Sequence, residues 1–307
     1  MSSKKIIFAG TPIFGLASLS ALVDSGYRPD LVLTQPDRPA GRGKKIRSSP
    51  VKNFACENNI RVFQPEVLES EIAEKIRILR PDIFIVVAYG LIIPASILEI
   101  PRFGCINVHP SLLPNWRGAS PMQHAILSQD SQTGVSLMQM NEGLDSGPIY
   151  AQEIINLGHE ETAGELHDRL SLIGAEMLVK TLPEIFSGDL IPTPQNHENA
   201  SYATKIFREN AKINWKNSAK EINIKIRAFN PVPTAWFDFN DEAIKCWKAS
   251  VLDSFCDEPG KFRVTENFNI QVQCGSGSLV LDEVQRPGRS RISSREFAQQ
   301  IRKFLFS

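Results

Sequence analysis

Three side chains stand out for the chemistry they could do together. Asn107 and His109 lie two residues apart in Gly104-Cys105-Ile106-Asn107-Val108-His109, a short apolar run that leads into Pro110-Ser111-Leu112-Leu113-Pro114. On an extended backbone, positions i and i+2 leave the same face, so an amide and an imidazole stand side by side where a strand ends. In open α/β sheets that edge is where ligands bind. A buried structural histidine paired with an asparagine would leave the same pattern. Asp145 adds a carboxylate from the polar loop 141–148, where Gly143 and Gly147 bracket it with flexible backbone. Its competing reading is an Asx-turn residue.

An amide, an imidazole and a carboxylate have complementary roles in moving an acyl-type group between nitrogens. An amine that attacks a formyl carbon creates a tetrahedral centre with a developing oxyanion. An asparagine amide and a protonated histidine can donate hydrogen bonds to that oxygen. A neighbouring carboxylate would hold the imidazole and could take the nucleophile's proton through a water. No activated serine or cysteine is implied, so direct transfer is expected over a covalent intermediate. No metal is needed, and His124, His159, His167 and His197 fall at spacings that form no ligand set.

The elements that must position this trio read as alternating strands and helices. Lys5 to Ala9 is a strand, broken by Gly10-Thr11-Pro12 before a helix from about Phe14 to Asp24. Neither a Gly-x-Gly-x-x-Gly fingerprint nor a Gly-Lys-Ser/Thr loop follows, so the turn reads as architecture, not a phosphate cradle. Leu31 to Thr34 is a second strand. Residues 35–48, with two prolines and two glycines, read as an irregular mobile loop. Six cations and no anion lie between Arg38 and Lys52. That run is either a solvated loop or a surface able to follow a phosphate backbone.

Ser49-Pro50 should cap a helix to about Asn58. A strand at Arg61–Phe63, a helix over 68–79 and a doubly buried strand over 82–87 follow. Helix is expected over 118–128 and 162–187. Strands are expected over 133–140, with one polar face, and over 149–155. Residues 188–204, with two prolines, look like a linker. Beyond it the spacing predicts one helix over 215–229, then short alternating strands of the kind that make small barrels.

The fold class expected is therefore α/β, a doubly wound, mostly parallel Rossmann-like sheet, followed by a small OB-like C-terminal β-barrel. The domains expected are 1–188, a linker over 189–205, and 206–307.

Composition narrows the class. The chain has 307 residues, 42% of them hydrophobic and 22% charged, in the range of an ordinary soluble globular protein. The longest strongly apolar run, Ile83 to Ala88, falls far short of the ~18 residues that suggest a membrane span. The start leads directly into a strand with no signal-peptide pattern. Five cysteines without Cys-x-x-Cys spacing argue against a disulfide framework or structural zinc, and a cytosolic, monomeric protein is expected. The zero net charge hides an asymmetry. From Ala200 on there are 17 Lys and Arg against 12 Asp and Glu, and the remainder carries 17 against 22. A basic tail portion suggests a polyanionic partner.

Asn107-x-His109, Ser111-Leu112-Leu113-Pro114 and Asp145 in a Gly-rich loop together resemble the shared core of the formyltetrahydrofolate-dependent transferases. The resemblance implies that Asn107, His109 and Asp145 are catalytic. It implies a folate site at Ser111, Leu112, Leu113 and Pro114, and a pterin pocket at Val87, Tyr89, Gly90, Met140 and Asn141. The formyl donor implied is 10-formyltetrahydrofolate, with no metal.

The whole chain is most similar to the branch of the family that acts on methionyl initiator tRNA. That likeness is carried by Ile7-Phe8-Ala9-Gly10-Thr11-Pro12, Gln35 to Lys45, Val86 to Leu91 and Arg227 to Pro231. It implies that Arg38, Arg42, Lys44 and Lys45 meet the tRNA acceptor end, and that the C-terminal barrel holds tRNA phosphates. Relatives acting on small amines lack the Arg-Gly-Lys-Lys loop. Two departures are Val232, where Trp is usual, and Pro110, where Gly is common. An idle tRNA-binding module would not require the intact trio.

Overall fold

The structure is a computed structural model that describes residues 4–40, 43, 45–253 and 256–305. Its contacts divide the chain into two compact units. One comprises the chain up to Pro121, Gln132–Asn156 and His167–Ala203, and the other Met122–Ser131, Leu157–Leu166 and the chain from Thr204 on.

In chain order the first unit holds β1 (Ile6–Gly10), α1 (Ile13–Asp24), β2 (Leu31–Leu33), β3 (Arg38–Ala40), β4 (Lys45–Arg47), α2 (Pro50–Glu57), β5 (Arg61–Phe63), α3 (Ser70–Leu79), β6 (Ile83–Val87), α4 (Ala95–Leu98), β7 (Cys105–His109) and β8 (Arg117–Gly118). The chain continues through α5 (Pro121–Leu127), β9 (Gln132–Gln139), β10 (Ile149–Asn156), the long α6 (Ala163–Ser187) and β11 (Tyr202–Ala203). Seven strands form one sheet in the order β10-β9-β7-β6-β1-β2-β5, parallel from β7 to β5 and antiparallel at β9 and β10.

Every residue of β1 and β6 is buried, as required of central strands covered on both faces. The chain winds outward from β1 through β2 to β5, then returns to build β6 and β7 on the other side, so the connections change direction between β1 and β6. Ligands favour such switch points. The expected doubly wound sheet is present.

Several boundaries differ from expectation for local reasons. Residues 38–40 and 45–47 are not irregular: β3 and β4 pair antiparallel, with Arg38 opposite Arg47, Pro39 opposite Ile46 and Ala40 opposite Lys45. A free-standing two-stranded hairpin is all edge, so Pro39 costs no essential ladder bond. Its base is tied to α2 by Asp37, whose carboxylate accepts from Lys52 Nζ at 2.6 Å, Gln64 Nε2 at 2.8 Å and Ser48 Oγ at 3.3 Å. Ser49 caps α2 as expected, accepting from the Lys52 amide at 3.0 Å. The polar face expected on β9 is buried too, because Ser136 hydrogen-bonds the 111–113 turn on that side. The helix expected from 118 starts only at Pro121, since Arg117–Gly118 pair with Tyr202–Ala203.

In the second unit α7 (Ala219–Ala228) precedes β12 (Trp236–Phe239), β13 (Glu242–Leu252), β14 (Phe262–Val264), β15 (Ile270–Gln273), β16 (Ser278–Gln285), β17 (Arg291–Ser293) and α8 (Ser294–Leu305). The sheet is antiparallel, in the order β12-β13-β16-β15-β14 with β17 on β16. Bulges on β13 between Cys246 and Ala249 give it the curl of a half-barrel. Ile222, Ile226, Phe237, Val272, Leu281 and Phe297 fill its core.

The helix expected over 215–229 is shorter. Ser218 and Glu221 form a reciprocal capping box that starts it at Ala219. Trp215 instead packs edge-on against Phe237 and Phe262 at 5.4 and 5.9 Å between centroids. The closing helix α8 departs from the sequence reading, in which the tail is a scatter of cations.

Candidate active site

β7 lies between β6 and β9, with Asn107 opposite Val86 on one side and Met138 on the other. Its i, i+2 spacing puts Asn107 and His109 on one face, and His109 is only 4% exposed. His109 Nε2 sits 3.0 Å from the Trp116 carbonyl oxygen. A carbonyl can only accept, so Nε2 carries the hydrogen there. Nδ1 is then the ring nitrogen left for chemistry, and it faces Asp145 Oδ2 at 3.7 Å.

Asp145 reaches this place from the β9–β10 connection. Its backbone is left-handed, with φ of 45°, a conformation that Asp tolerates better than most residues. Asn141 organises the loop by accepting from the Gly143 amide at 3.1 Å and from Ser146 Oγ at 3.0 Å. Gly147 closes it, since a Cβ there would lie 1.9 Å from the Gln139 carbonyl oxygen. The Asp145 carboxylate then divides its oxygens. Oδ1 accepts from Asn107 Nδ2 at 3.4 Å, and Oδ2 accepts from the Gly118 amide at 2.8 Å. Asn107, His109 and Asp145, which are distant in sequence, therefore converge.

The 111–114 turn is pinned from beneath. Ser111 is fully buried, and its hydroxyl donates to the Asn115 carbonyl at 2.6 Å. Ser136 Oγ donates to the Ser111 carbonyl and accepts from the Leu113 amide. Gln152 Nε2 donates to the Leu113 carbonyl at 2.9 Å. Leu113 is buried, whereas Leu112 and Pro114 stay partly accessible.

At the end of β6, the neighbour of β7, Val87 is buried and Gly90 is left-handed, with φ of 82°. The Tyr89 carbonyl accepts from Thr11 Oγ1 at 3.1 Å and Gln35 Nε2 at 3.0 Å. The Tyr89 ring belongs to the apolar cluster of Leu33, Ala73, Ile93 and Ile97, and Met140 packs against the same cluster. Its hydroxyl is buried with no hydrogen-bond partner among the described residues. Burial pushes the phenol's pKa well above its ordinary value. Burial likewise pushes the Cys105 thiol up to about 12, which leaves it inert as a nucleophile.

Arg38 and Lys45 stand exposed on the hairpin, while Arg42 and Lys44 lie outside the described residues. Asn141 is exposed at the head of the Asp145 loop. Among the described residues, no group of three or more His, Cys, Asp or Glu side chains converges as a metal-ligand set. No described helix is long and apolar enough to cross a membrane.

Sequence reasoning passed over Arg117 and Gln195. Arg117 is 2% exposed, and Gln195, inside the supposed linker, is 6% exposed. The segment holding Gln195 is not slack: Thr193 bridges to Ile149 and Ser201 Oγ accepts from the Trp116 amide at 2.9 Å. No local signal marks either residue, because both owe their burial to contacts almost 80 positions apart in sequence.

A doubly wound sheet carrying an amide, an imidazole and a carboxylate at the end of β7, one strand beyond the switch point, followed by a curled antiparallel unit, defines a class of group-transfer enzymes. The chain belongs to the formyl transferase family. Residues 4–182 match the formyl transferase domain and residues 205–302 match the formyl transferase C-terminal domain.

Within the family it is similar to the methionyl-tRNA formyltransferase of Coxiella burnetii (strain CbuK_Q154), with 48% identity over 297 residues, 96% of this chain and 95% of that one. It is also similar to the methionyl-tRNA formyltransferase of Methylococcus capsulatus, with 45% identity over 294 residues, 95% of this chain and 96% of the relative. Among solved structures, an N-formyltransferase from Helicobacter canadensis in complex with folinic acid and dTDP-3-aminofucose shares the fold. Its TM-score is 0.68 at 22% identity, covering 92% of this chain and 99% of that one.

Proposed function

We propose that the protein transfers the formyl group of 10-formyltetrahydrofolate to the α-amine of methionine carried on initiator tRNA, making formylmethionyl-tRNA. The observation that carries this reading is the meeting of Asn107, His109 and both oxygens of Asp145 at one point. The tRNA acceptor is supported by near-full-length similarity to enzymes named for it.

In this reading the amine nitrogen attacks the formyl carbon and the carbonyl oxygen becomes an oxyanion. One Asn107 Nδ2 hydrogen is engaged by Asp145, and the second is available to that oxyanion. His109, protonated on Nδ1, donates to the same oxygen. The ammonium proton leaves through a water to Asp145, the carbon–N10 bond breaks, and N10 of tetrahydrofolate takes up that proton, which restores the Asp145 carboxylate. Asp145 is a base held in place by the Gly118 amide, not a nucleophile. Ser111 to Pro114, Val87, Tyr89, Gly90, Met140 and Asn141 are the proposed surroundings of the folate. Tyr89 would serve through its backbone, because its ring faces the core.

Residues 1–188 would carry the catalytic trio, 189–205 would pack against it on the way to the second unit, and 206–307 would grip tRNA. The hairpin fits a polyanion. Arg38 and Arg47 are direct cross-strand partners, and like charges in that position repel unless an anion lies between them. Incubation with 10-formyltetrahydrofolate and methionyl initiator tRNA should yield formylmethionyl-tRNA. Turnover on a small amine alone would overturn the acceptor assignment.

A further inference from the structure

Arg117 is a buried cation in an unusual setting. Its Nε and Nη2 both donate to Gln195 Oε1, at 3.0 and 2.7 Å, and Nη2 also donates to His197 Nδ1 at 3.1 Å. These partners are neutral acceptors, no carboxylate among the described residues forms an ion pair with Arg117, and a buried guanidinium so placed is costly. The arrangement does have one definite consequence. A guanidinium can only donate, so it selects the amide flip of Gln195, oxygen toward Arg117 and nitrogen away.

The Gln195 nitrogen then donates to the Asp145 carbonyl at 2.9 Å and the Gly147 carbonyl at 2.7 Å. These two contacts clamp the backbone on either side of Ser146, the segment that carries Asp145 in its left-handed conformation. The same stretch of chain works from the other side. Arg117–Gly118 pair in parallel with Tyr202–Ala203, and the Gly118 amide holds Asp145 Oδ2 at 2.8 Å. A Cβ on Gly118 would lie 2.6 Å from the Ala203 carbonyl oxygen, so only glycine brings that amide so close.

We propose that Arg117 and Gln195 are positioning residues for Asp145, and that the return segment 193–203 is a working part of the active site. Arg117 orients Gln195, Gln195 fixes the backbone of Asp145, and the β8–β11 pair aims its carboxylate at His109. The inference rests on the formyl-transfer reading and deepens it.

The experiment is steady-state formyl transfer by the full chain, with 10-formyltetrahydrofolate and methionyl initiator tRNA, for wild type, Gln195→Ala, Gln195→Glu, Arg117→Lys and their combinations with Asp145→Asn. Gln195→Glu separates anchoring from positioning. Its carboxylate gives Arg117 a better acceptor but has no N–H for the Asp145 and Gly147 carbonyls. A merely structural pair predicts that Gln195→Glu behaves like wild type.

Positioning predicts a kcat drop of about 10- to 100-fold in both Gln195 variants, since small misplacements of a reacting group cost about that much. KM for both substrates should stay within about threefold. In the Asp145→Asn background the Gln195 substitutions should cost nothing further, because coupled groups are non-additive. Arg117→Lys, which keeps the charge without the fork, should fall between.

A Gln195→Glu kcat within about twofold of wild type, or fully additive losses with Asp145→Asn, overturns the proposal. Failure of both Gln195 variants to fold assigns the pair to stability and overturns it too. Absence of transfer by wild type refutes the proposed function instead. Amide hydrogen exchange over 143–147 then reads the clamp alone: faster exchange in Gln195→Glu supports it, and unchanged exchange overturns it.

Discussion

His109 and Asp145 face each other across 3.7 Å, Nδ1 to Oδ2, while the opposite ring nitrogen is occupied by the Trp116 carbonyl at 3.0 Å. The ring is thereby held at one nitrogen and left open at the other. This is the geometry of a group that must present one proton in one direction. Replacing His109 with Gln, or Asp145 with Asn, should lower kcat by about 100-fold or more, the range for positioned acid–base and oxyanion groups. KM should change little, because these contacts are made in the transition state. Steady-state kinetics decide it, and a loss confined to KM would remove either residue from the chemistry.

Tyr89 carries a cost that a substitution can remove. Its hydroxyl is buried without a described partner, and an unsatisfied buried polar group costs on the order of 1–3 kcal/mol. Tyr89→Phe should therefore raise the stability of the first unit by about 1 kcal/mol, read as a higher urea midpoint. A lower midpoint would mean that the hydroxyl has a partner that matters.

The base of the basic hairpin should respond to acid. Lys52, first, and Gln64 beside it hold the Asp37 carboxyl below its ordinary pKa. A carboxyl depressed in the folded state contributes stability above its unfolded pKa, and that contribution is lost as pH falls through the folded one. The tie between hairpin and α2 should thus hold at neutral pH and loosen only at pH below the usual carboxylate range. Lys52→Gln should move the Asp37 titration upward in a carboxyl NMR titration. An unmoved titration would show that Lys52 is not its partner.

The exposed hairpin cations should act through charge alone. Arg38→Ala and Lys45→Ala should each lower kcat/KM for tRNA and leave the folate KM unchanged. Each should also flatten the salt dependence of tRNA use by about one phosphate contact. A salt slope identical to wild type would return these side chains to solvent.

Much of this was legible locally. The Asn107-x-His109 pair follows from the two-residue period of a strand. A continuous apolar run marked β6 as doubly covered, and Ser49-Pro50 marked the start of α2. The half-barrel strands β12 to β16 follow from short alternation between turn residues, whereas β17 does not. The misses share one cause. The tie that holds the base of the β3–β4 pair to Lys52 and Gln64, the withdrawal of Trp215 from α7 and the buried second face of β9 all depend on partners further along the chain.

The sequence by itself therefore determined the kinds of groups present and which of them share a strand face, because backbone geometry repeats over two or four residues. Only the tertiary structure decided that Asp145 turns left-handed toward Asn107 across 38 positions, and that the Tyr89 ring turns inward. It alone revealed that Gln195, 50 positions away, holds the Asp145 backbone while Arg117 sets its amide. Those choices are made by burial and hydrogen-bond satisfaction between distant segments, and no local period encodes them.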